Sequence, residues 1–514
     1  MHSESLPVEI FGFSESDLFQ SLSNKRCPST EVEKQDRARY LFSYLSKLQA
    51  KTIVVEHDYI DRDYLEDFAS YYARCFRQYD RHCKRLHFFK CPLNPEKFLE
   101  LVRDETPPEE GTRIRDAYLG FVVARPLPDA IVGRTILATY DSDGGRRNYP
   151  CTLQYDANLF GVALSVQSLA FQEQDTVLAA CATVSLWCCF HKTKQLFGSP
   201  APTPAEITRL ANQVVHHSRP VPSHGLIVEQ ICNAIRQAGL EPEVIQVKPH
   251  TPLTSLIYGH LKMGLPVILG VDVEGKSGHA ITLVGYSLKE ERVLIQEVAT
   301  GNWGLIPSMT GLHIDKFYAH DDQIGPFSRV EVKPSTKVGK VIYPVTFQGA
   351  WVDKQTGKLL TLYPHVLIIP VYNKIRLSFA DIQAWITRLT YVLSSLFGPE
   401  APLEWDVYLT TTNEYKKFIK NSQQHRGKVL EGLILEQHPR FIWRATLKFD
   451  RTDILELLFD ATDMARSLPV YHAQWYNQEL RNLLNGLLKR SELQNRIIPF
   501  LTRPFLEFLI ETTE

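Results

Sequence analysis

Residues Gly270–Ser277, GVDVEGKS, match the phosphate-loop pattern GxxxxGK[ST] letter for letter. They follow the apolar run Leu265–Asp272 (LPVILGVD). What comes next decides the architecture. A phosphate loop requires a helix, whose N-terminus meets the phosphates. Here the chain continues into Ala280–Tyr286 (AITLVGY), which is strand-like and rich in β-branched residues. Asp272 and Glu274 would also set two negative charges beside the phosphates. The segment therefore reads as a hairpin-type connection between two apolar strands, and no nucleotide is expected on it.

The chain has 514 residues, too many for one compact core, so two to three domains are expected. Hydrophobic residues make up 44% and charged residues 22%, a globular mix that excludes a disordered or collagen-like chain. Lys and Arg number 57 against 58 Asp and Glu, which argues against a general nucleic-acid binder. The start, MHSESLPVEIFGF, lacks the basic and apolar regions of a signal peptide. Apolar stretches are of strand length, short of a bilayer span. Nine scattered cysteines fit free thiols in a reducing, cytoplasmic setting.

Three regions are expected: an N-terminal α/β region over 1–110, a central domain over 111–332 and a C-terminal α/β region over 333–514. The breaker-rich Pro107–Gly111 (PPEEG) marks the first boundary. Helices are expected near 31–48, 58–79, 181–195, 204–215 and up to 239. Strands are expected at Thr52–Val55, Arg85–Phe89, the two runs above and Arg292–Val298 (RVLIQEV).

The strongest chemical signal is FQEQDTVLAACATVSLW. Cys181 opens an apolar helix there, and a thiol at a helix N-terminus is favoured as thiolate. The backbone N–H of that turn can help hold an oxyanion, and a Gln amide just upstream can supply a second donor. About a hundred residues later His279 starts a strand in SGHAITLVGYS, placed to act as a general base. Glu297, Gln296 and Asn302 lie beyond it and are candidates to orient the imidazole.

A Gln, a Cys opening a helix, then Gly278-His279-Ala280 and Gly285-Tyr286, then a strand ending in an acid or amide, resemble the papain-like cysteine peptidases. The likeness is strongest to the bacteriocin-leader (double-glycine) peptidases of bacteria and covers roughly residues 112–310. QAGLEPEVIQ and GLPVILGV, between Cys and His, are also similar to that group. The resemblance implies an α+β domain in which the Cys181 helix packs on a strongly twisted antiparallel sheet carrying His279 and Glu297. It implies peptide hydrolysis without a cofactor or metal: Cys181 as nucleophile, His279 as base, Glu297 as orienter, and Gln174 with the Cys181 N–H holding the oxyanion. In papain the Gln stands six residues before the Cys. Here Gln174 is seven before, and Asp175 holds the six-before place. Asn302-Trp303-Gly304 is similar to papain's Asn-Ser-Trp-Gly but lies further downstream than a simple match allows.

Two alternatives stand beside hydrolysis: an inactive peptidase-like domain that binds a peptide or partner, and a transamidase or deamidase using the same Cys–His chemistry. The flanking regions are expected to recognise a protein substrate or a regulatory partner, with no nucleic acid and no membrane involved. Other clusters have plainer readings. Cys75, Cys83, His87 and Cys91 offer zinc-type ligands, but without a CxxC knuckle they read as half-buried thiols. Asp58, Asp61, Asp63, Glu66 and Asp67 read as helix capping and a solvated face, and Asp460 and Asp463 as caps. Cys188 and Cys189 read as buried core thiols.

Overall fold

The computed structural model describes residues 8–175, 177–213, 225–276, 278–291, 307–398, 401–422, 427–464, 468–490, 494 and 501–513. Helix and strand contribute almost equally, and every strand pair in the sheets is antiparallel, so the fold is α+β. No helix among the described residues is long and apolar enough to cross a membrane.

The first sheet has the order β1 (Val8–Gly12), β2 (Thr52–Tyr59), β3 (Cys83–Phe89), β4 (Tyr118–Ala124) and β5 (Val132–Leu137). It runs past residue 110. Pro107–Gly111 is not a boundary but the start of a helix, Pro108–Asp116, that links β3 to β4. A proline in the first helical turn costs nothing because its missing N–H would have no partner there. The helix expected over 31–48 is split into Ser29–Val32 and α1, Asp36–Lys47. The helix expected over 58–79 is shorter: α2, Arg62–Ser70, begins after Asp61, whose carboxylate accepts the N–H groups of Asp63 and Tyr64.

After β6 (Arg147–Asn148) and the hairpin of β7 (Leu153–Leu159) and β8 (Val162–Ser168) comes α3, Cys181–Phe197. It is buried on every side from Ala182 to Phe190, the mark of a core helix. Gly198, in the left-handed region, ends it and donates its N–H to the Lys194 carbonyl.

The helix lies against a sheet that closes on itself. β10 (Val267–Val273) pairs with β11 (Gly278–Leu288), β11 with β12 (Ile314–Asp321), β12 with β13 (Gly325–Lys333), β13 with β16 (Thr346–Val352), and β16 with β17 (Leu359–Tyr372). β17 then pairs with β10, completing a six-stranded antiparallel barrel, and β9 (Leu240–Gln246) adds to the far half of β17. Between β13 and β16 projects a small exposed hairpin, β14 (Thr336–Val338) with β15 (Val341–Tyr343). The barrel takes two strands from beyond residue 332, so the second expected boundary falls inside it.

The phosphate-loop lookalike is the β10–β11 hairpin, with Val271 opposite His279 and Gly275 at positive φ in the turn. Its first glycine has a packing reason. A Cβ on Gly270 would lie 2.5 Å from Val366 of β17, so the pattern's glycine serves barrel closure.

A four-stranded sheet, β18 (Leu403–Thr411), β19 (Phe441–Phe449), β20 (Thr452–Asp460) and β21 (Val470–Trp475), forms the C-terminal layer. It joins the rest where the Trp405 N–H donates to the Ser308 carbonyl, 2.9 Å.

Candidate active site

Cys181 is the first residue of α3, and its side chain is partly exposed. Ala180 precedes it as N-cap and supplies no side-chain hydrogen bond. The first N–H groups of this helix therefore keep their donor capacity at the thiol, together with the positive end of the dipole. The helix is pinned to the barrel one turn on. Ser185, four residues after Cys181 and so on the same face, donates its hydroxyl to the Ala280 carbonyl at 3.2 Å. The Thr282 hydroxyl donates to the Ser185 carbonyl, also at 3.2 Å. Ala280 is the neighbour of His279, so these bonds bring the start of the helix and the start of β11 together.

His279 is 6% exposed, and its Nε2 lies 3.0 Å from Asp321 Oδ1. The β11–β12 register explains the meeting. Thr282 pairs with His320, so Asp321 falls on the face that carries His279, one diagonal step across the ladder. Asp321 is itself held: Oδ1 accepts the Gln323 N–H at 3.1 Å and Oδ2 accepts the Trp351 indole N–H at 2.8 Å. The Trp351 ring stands edge-on to the imidazole, 5.1 Å between centroids, and Lys276 Nζ lies over the Trp351 ring, 4.6 Å from its centroid. Burial, the largest single influence, works against charge on His279, but the Asp321 carboxylate, the Cys181 side chain and Asp322 together outweigh it. The imidazolium is held well above the ordinary histidine range. With Nε2 engaged by Asp321, Nδ1 is the nitrogen left for the thiol.

Asp322, next in the chain, has its Oδ1 3.6 Å from the same Nε2. Burial and the Asp321 charge push its carboxyl up to about 7. One donor atom each from His279, Asp321 and Asp322 lie within 4.8 Å of one another, and no other three-residue group of this kind occurs among the described residues. The β12–β13 turn that carries these acids rests on α1. Gly325, at φ +155°, leaves room for the Tyr40 ring, which a Cβ there would meet at 2.2 Å. Tyr40 also donates its hydroxyl to the Pro326 carbonyl at 2.8 Å.

The segment before Cys181 is knotted by Asp175. Its Oδ1 accepts the N–H groups of Val177, Leu178 and Ala179, and Oδ2 accepts the Tyr72 hydroxyl. A carboxylate accepts only, so the six-before residue shapes the loop and cannot donate to an oxyanion. Upstream, Glu173 is fully buried and ion-paired to Arg37 of α1, and its Oε1 accepts the Val132 N–H. Gln174 is partly exposed. Gln172 is 2% exposed, and its amide nitrogen is buried with no acceptor.

The strand partner of β11 begins at Ile314. The sequence reading placed the orienting acid on 292–298, assuming a tight hairpin after His279. Glu297, Gln296 and Asn302 lie outside the described residues, and the acid found on His279 Nε2 is Asp321. Asp321 was missed because a connection of more than twenty residues separates the paired strands, and length alone gives no register for such a connection.

Among the other sequence candidates, Cys188 and Cys189 are buried in the core, as expected. His87 is committed to the Tyr118 hydroxyl and Glu56, and no metal-type cluster forms with Cys75, Cys83 and Cys91. Asp460 caps its own turn through Thr462. Asp61 is a helix cap, but the solvated-face reading of its cluster is corrected. Asp61, Asp63 and Asp67 are buried, Asp61 pairs with Arg134, and Arg134 and the Trp187 side chain of α3 favour the charged form of Asp63. Helix α2 thus turns these acids inward.

Compared with known proteins, the chain matches no family model, no curated protein and no solved structure.

Proposed function

We propose that this protein is a cysteine peptidase with a papain-like active site, cleaving a peptide bond of a specific protein or peptide. The observation that carries the reading is the His279 imidazole, whose Nε2 lies 3.0 Å from Asp321 Oδ1 and whose charged form the Cys181 side chain favours. The order Cys–His–Asp, with a thiol on an uncapped helix start, is the arrangement that nucleophilic acyl transfer needs. The Cys181 proton already rests on His279, and the thiolate Sγ attacks the carbonyl carbon. The oxyanion is met by the N–H groups at the start of α3 and by a glutamine amide. Gln172 is favoured over Gln174 for that role, because its buried nitrogen lacks an acceptor. His279 then gives the proton to the leaving amine, and water releases the acyl group by the reverse path. Asp321 and Trp351 hold the imidazole in orientation throughout.

The test is site-mapped alkylation with cleavage. At low iodoacetamide, label is expected on Cys181 ahead of the other eight cysteines. It should vanish in Cys181→Ala and slow strongly in His279→Ala. A peptide library should show new N-termini with the wild type and none with Cys181→Ala. Selective labelling without any cleavage would favour the binding-module reading. Label on Cys188 or Cys189 would overturn the assignment.

A further inference from the structure

The peptidase reading leaves Asp322 without a task. It is 2% exposed, both carboxylate oxygens are buried, and neither accepts a hydrogen bond. Buried carboxylates are normally satisfied, because the lost hydration must be replaced. Its Oδ1 lies 3.6 Å from His279 Nε2, the nitrogen that Asp321 Oδ1 approaches to 3.0 Å.

We propose that His279, Asp321 and Asp322 form an inhibitory binding site for a divalent transition-metal ion, zinc fitting best. Zinc holds nitrogen and oxygen ligands at about 2.0–2.2 Å in a tetrahedron, which sets donor atoms roughly 3.3–3.6 Å apart. The separations here, 3.0 and 3.6 Å, bracket that spacing. One imidazole with two carboxylates suits zinc, whereas calcium and magnesium demand more oxygen ligands. The outer support already exists: the Trp351 N–H holds the second oxygen of Asp321, and the Gln323 N–H holds the first. Cys181 is not in the set: the donor atoms that lie within 4.8 Å of one another are those of His279, Asp321 and Asp322.

Binding would exchange a proton for the metal. The ion takes the Nε2 lone pair, and the Nε2 proton of the imidazolium leaves to solvent. The remaining ring proton sits on Nδ1, so the ring is a neutral ligand and the imidazolium partner of the Cys181 thiolate is gone. The thiolate then takes a proton from solvent and is unreactive until the ion leaves. No oxidation state changes. The inhibition rests on the peptidase reading, while the binding does not.

The test uses the full chain with zinc and cobalt(II). Equilibrium dialysis should find one zinc per chain in the wild type and equally in Cys181→Ala. Asp322→Asn should weaken it at least about tenfold. Cobalt should give visible ligand-field bands without a thiolate charge-transfer band, a readout that needs no variant at the site. Zinc should slow alkylation of Cys181 at least about tenfold in the wild type and not in Asp322→Asn. If Cys181→Ala loses the metal, or cobalt shows the thiolate band, the ion sits on the Cys–His pair and the proposal falls. It falls equally if Asp322→Asn binds zinc as the wild type does. If Asp322→Asn does not fold, the cobalt spectra of the wild type and Cys181→Ala decide alone. If zinc binds as stated but Cys181 shows no selective alkylation to slow, the peptidase reading fails and the metal site stands.

Discussion

Ser185 gives its hydroxyl to the carbonyl of Ala280, one turn beyond Cys181 and one residue past His279. With the Thr282 hydroxyl on the Ser185 carbonyl, this bond ties the helix that Cys181 opens to the strand that carries His279. Ser185→Ala removes it with almost no change in volume. Stability in a denaturant titration should fall by about 1 kcal/mol, the ordinary worth of such a bond. Alkylation of Cys181 should slow severalfold at the same time. Unchanged alkylation would mean that packing alone sets the helix–strand spacing.

Asp321→Asn keeps the shape and removes the charge that favours the imidazolium. Alkylation of Cys181 near neutral pH should slow roughly ten- to a hundredfold, and turnover should fall at least as far. Trp351→Phe keeps the ring beside His279 but deletes the N–H on Asp321, so its effect should be smaller, worth about 1 kcal/mol. Equal damage from both would show that Asp321 acts mainly by placement.

For the oxyanion, Gln172→Ala should cut turnover of a cleaved peptide roughly tenfold or more while leaving alkylation of Cys181 nearly intact. Alkylation builds no oxyanion, so the two readouts separate. Gln174→Ala should do less. The opposite ranking would return the role to Gln174, where the resemblance to papain alone would put it.

Asp63 supplies a pH prediction for stability. Burial and the neighbouring Asp61 raise its carboxyl to about 6, against an ordinary value near 4. The sign follows from proton counting. Between about pH 4 and 6 the folded protein holds a proton that the unfolded chain has lost, so stability from this group falls as pH rises through that window. Above it the full penalty applies, roughly 2–3 kcal/mol at most. Asp63→Asn should therefore raise thermal stability above pH 6 and leave it unchanged near pH 4. No gain at neutral pH would show that Arg134 and Trp187 already satisfy the charge.

How much of this was legible in the sequence depended on range. Cys181 and His279 each announce themselves locally, as a thiol opening an apolar helix and as an imidazole opening an apolar strand. The hairpin at Gly270–Gly278 was legible for the same reason, because β-branched residues follow where a phosphate loop needs a helix. Asp321 was not, since its place depends on the β11–β12 register across a long connection. Nor was the inward turn of Asp63 and Asp67. Alternation of charge along a helix looks the same whether its partner is water or Arg134, and only packing decides. The expected boundary at 332 failed on topology. A strand that closes a barrel need not be near its neighbours in the chain, and β17 is its own closing strand.

That closure sets an order on synthesis. The thiol leaves the ribosome first, the imidazole about a hundred residues later, and Asp321 later still. Trp351, which braces Asp321, and β17, which seals the ring by pairing Leu362–Ile368 with β10, are made after all three. Until β17 is made, β10 has an open edge and the barrel that carries His279 on β11 is not closed. A nascent or prematurely terminated chain ending near residue 332 would thus carry the Cys181 thiol and the His279 imidazole without the closed frame around them, so the arrangement proposed for hydrolysis is withheld until well over half of the polypeptide exists.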